Sequence, residues 1–146
     1  MTLQVQQLGH VVLKVRDRET AERFYCDVLG LPVVARLETP PMTFFTLGNH
    51  HDFAIVEVGD GPPPSADSPG LFHVAFRIGD STADLRDAKE SLDRAGAPIL
   101  GIADHTVAHS IYTSDPDGNS IELYADVSDI WRTDPHAVAT MRPLQL

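Results

Sequence analysis

The stretch Leu8-Gly9-His10-Val11-Val12-Leu13-Lys14-Val15-Arg16-Asp17 is matched without a gap, 63 residues later, by Leu71-Phe72-His73-Val74-Ala75-Phe76-Arg77-Ile78-Gly79-Asp80. Both stretches alternate apolar and polar residues as a strand does, and both end in an Asp that introduces a helical pattern. A repeat of this length makes each half one supersecondary unit, so the fold must be built from two units of the same plan.

The first helix is predicted from Arg18 to Leu29, with Asp17 as N-cap and Gly30 as the stop. Ala21, Phe24, Tyr25, Val28 and Leu29 form one apolar stripe at helical spacing. The second helix starts near Thr82, capped by Ser81 or Thr82. It presents Leu85, Ala88, Leu92 and Ala95, and ends at Gly96 with Pro98 beyond it. Three short strands follow each helix: 32–37, 42–47 and 52–58 in the first half, 99–102, 109–114 and 120–125 in the second. The chain therefore reads βαβββ, linker, βαβββ, an α+β fold with helices on one face of each sheet. One domain over 1–146 is expected, with module one at about 7–60, a Gly/Pro-rich linker at about 61–70, module two at about 71–126 and a tail at 127–146. The tail carries a short helical segment, 128–132, with Trp131 as a packing anchor.

Charge narrows the function. The chain has 11 basic and 21 acidic residues, a formal net charge of −10, and only Lys14 and Lys89 as lysines. Such a surface repels nucleic acid and anionic membrane, whose recognition needs clustered Lys and Arg. No apolar run approaches the ~20 residues of a membrane span. The single cysteine, Cys26, cannot form an internal disulfide, and the start of the chain lacks a secretory pattern, so a cytoplasmic address is expected.

The seven histidines are more informative. His10 and His73 occupy equivalent repeat positions. A lone strand histidine is usually a hydrogen-bonded core residue; two at matched positions suggest a shared task. The turn Asp115-Pro116-Asp117-Gly118-Asn119 predicts a hairpin. Centring it on Asp117 pairs Tyr112 with Glu122 on one sheet face. Two histidines and one carboxylate are the ligand set of non-haem iron(II) oxygenases, which leaves coordination positions open.

These segments resemble the vicinal oxygen chelate superfamily, which includes glyoxalases, bleomycin-resistance proteins and type I extradiol dioxygenases. The resemblance spans about residues 7 to 126 and rests on Leu8-Gly9-His10-Val11, Phe24-Tyr25-Cys26-Asp27-Val28-Leu29-Gly30-Leu31, Phe72-His73-Val74-Ala75 and 115–124. It implies two βαβββ modules forming a U-shaped mixed-sheet cup around a divalent metal held by His10, His73 and Glu122. Asn49-His50-His51-Asp52-Phe53 resembles a segment of the extradiol dioxygenases in which the second histidine is the acid/base, here His51. The same comparison makes Tyr112 catalytic and His105 substrate-binding; His109 has no counterpart.

The expected activity is ring cleavage of a catechol-type diol with dioxygen, using Fe(II), with Mn(II) also admitted by the ligand set. The expected partners are a small aromatic substrate and dioxygen, in a homo-oligomer. Phe44, Phe45, Phe53, Phe72 and Phe76 either line an aromatic pocket or form core. The competing reading turns on Glu57, which by a count along the repeat corresponds roughly to Glu122. A fourth ligand there, with Ni(II), Zn(II) or Co(II), implies a glyoxalase I-like or epimerase-like isomerase. A metal-free binder of the bleomycin-resistance kind is the third class, and the three intact ligand positions argue against it.

Overall fold

In a computed structural model describing residues 2–146, the chain divides into two compact units that meet in sequence at Pro63 and Pro64. In the first unit, β1 (Val11–Val15) runs parallel to β4 (Phe53–Glu57). Next come β3 (Pro41–Phe45) and β2 (Val33–Glu38), both antiparallel to their neighbours, in the order β1-β4-β3-β2. The second unit repeats this plan. Strand β5 (Val74–Gly79) lies parallel to β8 (Ser120–Asp126), followed by β7 (Ala108–Ser114) and β6 (Gly101–Asp104). A short strand β9 (Arg142–Pro143) from the tail adds to β6, giving the order β5-β8-β7-β6-β9. These two mixed sheets with few helices are the α+β architecture anticipated from the repeat.

Helix α1 spans Arg18–Arg23, and the Asp17 carboxylate accepts the Thr20 N–H at 2.7 Å. The predicted single helix to Leu29 is instead interrupted by a wider π-helical turn, Phe24–Val28. Phe24 and Tyr25, on the predicted apolar stripe, are both buried. Tyr25 packs against Phe45 and Phe53, with ring centroids 5.8 and 4.7 Å away, to form the core of the first unit. Helix α2 (Thr82–Ala95) matches its predicted span. Ser81 and Asp84 close a capping box, Gly96 takes a left-handed conformation at φ 67°, and Leu85 and Leu92 are buried.

One packing expectation fails. Trp131 is 45% exposed on a three-residue 3-10 turn (Ile130–Arg132), which has no face to bury, and the Arg132 guanidinium stacks over its ring. Phe72 is 86% exposed and lines no core, whereas Phe45, Phe53 and Phe76 are buried. Among the described residues no helix is long and apolar enough to cross a membrane.

Candidate metal and substrate site

Each unit carries its polar cluster at the same place on its sheet. In the second unit, the register pairs Tyr112 with Glu122 across β7 and β8, as the hairpin centring predicts. His73 immediately precedes β5, and its Nε2 lies 2.9 Å from Glu122 Oε2. The other carboxylate oxygen accepts the Ser110 hydroxyl at 2.6 Å. Ser110 is fully buried and sits two residues before Tyr112, on the same face of β7. The sequence carried this signal: the centring that pairs Tyr112 with Glu122 puts Ser110 on that face too.

The His73–Glu122 pair fits a divalent cation. Two donors at ~2.0–2.2 Å from one ion and at right angles to each other lie about 3 Å apart, close to the observed 2.9 Å. The His73 Nδ1 is buried and has no hydrogen-bond partner among the described residues. The imidazole is thus held by its Nε2 contact, the atom that faces the carboxylate.

Tyr112 and His105 form the rest of this cluster. His105 Nε2 and the Tyr112 hydroxyl are 2.8 Å apart, and His105 Nδ1 lies 2.8 Å from the Thr140 carbonyl. Both ring nitrogens of His105 are therefore engaged within the unit. Burial, and then the Glu122 carboxylate beside it, push the Tyr112 phenol up to about 12. Tyr112 is a neutral hydrogen-bonding group at ordinary pH. His109 bonds the Thr82 hydroxyl at 3.0 Å, bridging β7 to the start of α2.

In the first unit, His10 precedes β1 as His73 precedes β5. The His10 ring lies against His51, centroids 4.2 Å apart, and His51 also meets the edge of Phe44 at 5.4 Å. The Nδ1 atoms of His50 and His51 are 2.7 Å apart, so one of them donates to the other. Burial, then the neighbouring His10 and His50, hold His51 below the usual histidine range, which favours its neutral, basic form. Among the described residues, no three His, Cys, Asp or Glu side chains are gathered into a metal-holding group. His73 and Glu122 are brought together in one unit, and His10 stands with His51 in the other.

The register corrects the count that equated Glu57 with Glu122. In the second unit Val74 pairs with Ile121 and Ala75 with Glu122. In the first, Val11 pairs with Phe53 and Val12 with Ala54. With His10 and His73 in equivalent places, the residue equivalent to Glu122 is Ala54, and the residue equivalent to Tyr112 is Phe44, the cross-strand partner of Ala54. Glu57 pairs with Val15, five residues along β1 from His10, or ~16 Å at the strand rise. Its carboxylate accepts the Arg18 backbone N–H at 2.8 Å, at the start of α1. The count failed because it ignored where the parallel pairing of β1 and β4 begins.

The sequence pattern of the Glyoxalase/Bleomycin resistance protein/Dioxygenase superfamily matches residues 7–123 of this chain. The chain belongs to that superfamily. Within it, the chain is 34% identical over 121 residues to a catechol-2,3-dioxygenase of Bacillus subtilis, covering 82% of this chain and 41% of that protein. It is also 34% identical over 122 residues to a biphenyl-2,3-diol 1,2-dioxygenase of Rhodococcus globerulus, covering 82% of this chain and 63% of that protein. The chain thus spans between about two fifths and just under two thirds of these relatives. Superfamily relatives of other activities are present too, such as a probable lactoylglutathione lyase of Synechocystis at 28% identity, covering 80% of this chain and 92% of that protein. A glyoxylase/bleomycin resistance protein/dioxygenase domain from Frankia shares the fold, with a TM-score of 0.72 at 24% identity over 84% of this chain and 99% of that one.

Proposed function

We propose that this chain is a metal-dependent extradiol dioxygenase that cleaves a catechol-type ring. The observation that carries this reading is Ala54: where the second unit supplies Glu122, the first supplies a methyl group. The ligand set is then His10, His73 and Glu122, three donors and not four, which leaves positions free for a bidentate diol and for dioxygen. Fe(II) is the metal we assign, with Mn(II) compatible with the same donors. When bound, the metal supplies a positive centre that holds both substrates and lets electron density pass between them.

The chain's own residues supply the proton chemistry. His51, held in its unprotonated form by its surroundings, takes a phenolic proton from the diol at its Nε2, in the tautomer whose Nδ1 donates to His50. It can give a proton back as the ring opens, since a group with an ordinary pKa of ~6.5 works in both directions. Tyr112, neutral and positioned beside Glu122, hydrogen-bonds a substrate oxygen. Ser110 holds the Glu122 carboxylate in place. Phe44, against His51, offers an apolar edge to an aromatic ring.

The names of the dioxygenase relatives support this reading, and those of the lyase and epimerase relatives keep the isomerase as its competitor. The test is anaerobic metal analysis followed by oxygen-uptake assays on a panel of catechols, with a thiohemiacetal as control. Oxygen consumption with ring opening is expected. Turnover of the thiohemiacetal without oxygen consumption on any catechol would pass the assignment to the isomerase.

A further inference from the structure

We propose that the C-terminal tail fixes the tautomer of His105 and thereby makes Tyr112 a hydrogen-bond acceptor toward its ligand. The carbonyl of Thr140, 2.8 Å from His105 Nδ1, can only accept. The Nδ1 atom must therefore carry the ring proton, and Nε2 of the neutral ring must be a lone pair. The Tyr112 hydroxyl, 2.8 Å from that lone pair, must donate to it. The phenol proton goes to the His105 lone pair at 2.8 Å, with the Glu122 carboxylate as its competing acceptor, and the remaining lone pairs of the Tyr112 oxygen are what a ligand meets. A protonated hydroxyl of the ligand is the group this arrangement selects.

The tail is built to hold that carbonyl. Its strand β9 pairs Pro143 with Ala103 and Arg142 with Asp104 on β6. Thr140 Oγ1 lies 2.8 Å from both His105 O and Thr106 Oγ1, and 3.0 Å from Ala137 O. Thr106 adopts φ 70°, a left-handed conformation that costs a β-branched residue of order 1–3 kcal/mol. It is kept there by the Asp104 carboxylate, which accepts its N–H at 2.6 Å, and by Arg142, whose guanidinium donates to its hydroxyl at 3.2 Å. This strained corner directs His105 back toward β7. Thr140 and Thr106 are thus positioning residues, acting through His105.

The consequence for turnover rests on the ring-cleavage reading, but the tautomer does not, so the experiment reads the tautomer directly. The whole chain, labelled with 15N-histidine and loaded with zinc, is examined by long-range proton–nitrogen NMR above the pH at which its histidines titrate, with His105→Gln identifying the signal. His105 is expected as the Nδ1–H form. It should remain so in Tyr112→Phe, because Thr140 and not Tyr112 sets it. Thr140→Ala, which frees the strap, and a chain ending at Asp134, which removes it, should raise the Nε2–H population roughly tenfold, the effect of one net hydrogen bond. An Nε2–H form in the unaltered chain, or loss of the Nδ1–H form in Tyr112→Phe, overturns the proposal. So does an unmixed Nδ1–H form in the truncated chain; should that chain not fold, Thr140→Ala decides by the same criterion. Absence of catechol cleavage with the expected tautomer would overturn the functional reading alone.

Discussion

The Glu57 carboxylate accepts the backbone N–H of Arg18 at 2.8 Å, at the end of β4 remote from His51. It satisfies one of the free donors at the start of α1, a structural task. Glu57→Gln keeps an acceptor oxygen and should leave metal stoichiometry unchanged, with ring cleavage within about tenfold, or ~1.4 kcal/mol of barrier. Elemental analysis of the purified variant checks this; loss of one metal equivalent would restore the four-ligand reading.

Glu122→Ala removes the only anionic donor of the proposed set and should lower metal affinity substantially, as measured by competition with a coloured chelator. Ser110→Ala leaves the three donors in place but frees the carboxylate oxygen now held at 2.6 Å. Loss of such a supporting bond costs ~10–100-fold in affinity. Unchanged affinity in the serine variant would show that Glu122 is oriented by β8 alone.

His51→Phe should retain metal and lose ~10²–10⁴-fold in turnover, the range of general acid–base catalysis. Tyr112→Phe should lose less, because it removes one hydrogen bond and no proton carrier. Equal loss of metal from the His51 variant would make it a ligand or a structural residue.

Acid should weaken the first unit through Glu22. Its carboxylate is paired with Arg36 and accepts the Thr43 hydroxyl at 2.6 Å. The Arg36 hydrogen bonds hold it below the usual carboxylate range, against the opposing effect of burial. A lowered native pKa means that this contribution is complete above the ordinary carboxylate range and is lost as pH falls through the native value. Chemical denaturation should show wild type more stable than Glu22→Gln at pH 7, with the gap shrinking toward pH 3. A gap independent of pH would remove the charge from the explanation. Thr43→Val should cost about 1 kcal/mol at neutral pH.

The repeat, the caps and the hairpin were legible in the sequence because each is local: Ser81 to Asp84 and Gly96 bound α2, and Asp115 to Asn119 set the register that joins Tyr112 to Glu122. The tautomer-setting tail was not, because Thr140 reaches His105 across 35 residues through a backbone carbonyl that any residue carries. The π-helical turn at Phe24–Val28 escaped for a related reason: an apolar stripe at i, i+3, i+4 looks the same whichever turn width closes it. The rough equivalence of Glu57 with Glu122 does not hold, because residue counts along a repeat carry no information on where a parallel pairing starts.

The contrast between Ala54 and Glu122 has a bearing on how such a chain changes its chemistry over time. One base change in an alanine codon ending in A or G writes glutamate, so position 54 is a single genetic step from a second carboxylate. Position 54 is fully buried, however, and its surroundings do not support a charge. Ser110 pairs with Tyr124 in the second unit, and the corresponding pair in the first is Met42 with Val56, which brings no hydroxyl. Phe44 stands where Tyr112 does. A carboxylate there would be desolvated with no hydroxyl beside it and only a neutral imidazole, His10, in the place where His73 meets Glu122, at a cost of several kcal/mol. Conversion therefore needs a donor and the acid to arrive together, or an ion already bound to receive it, and the first half of the duplication is held apart from the second by that coupled requirement.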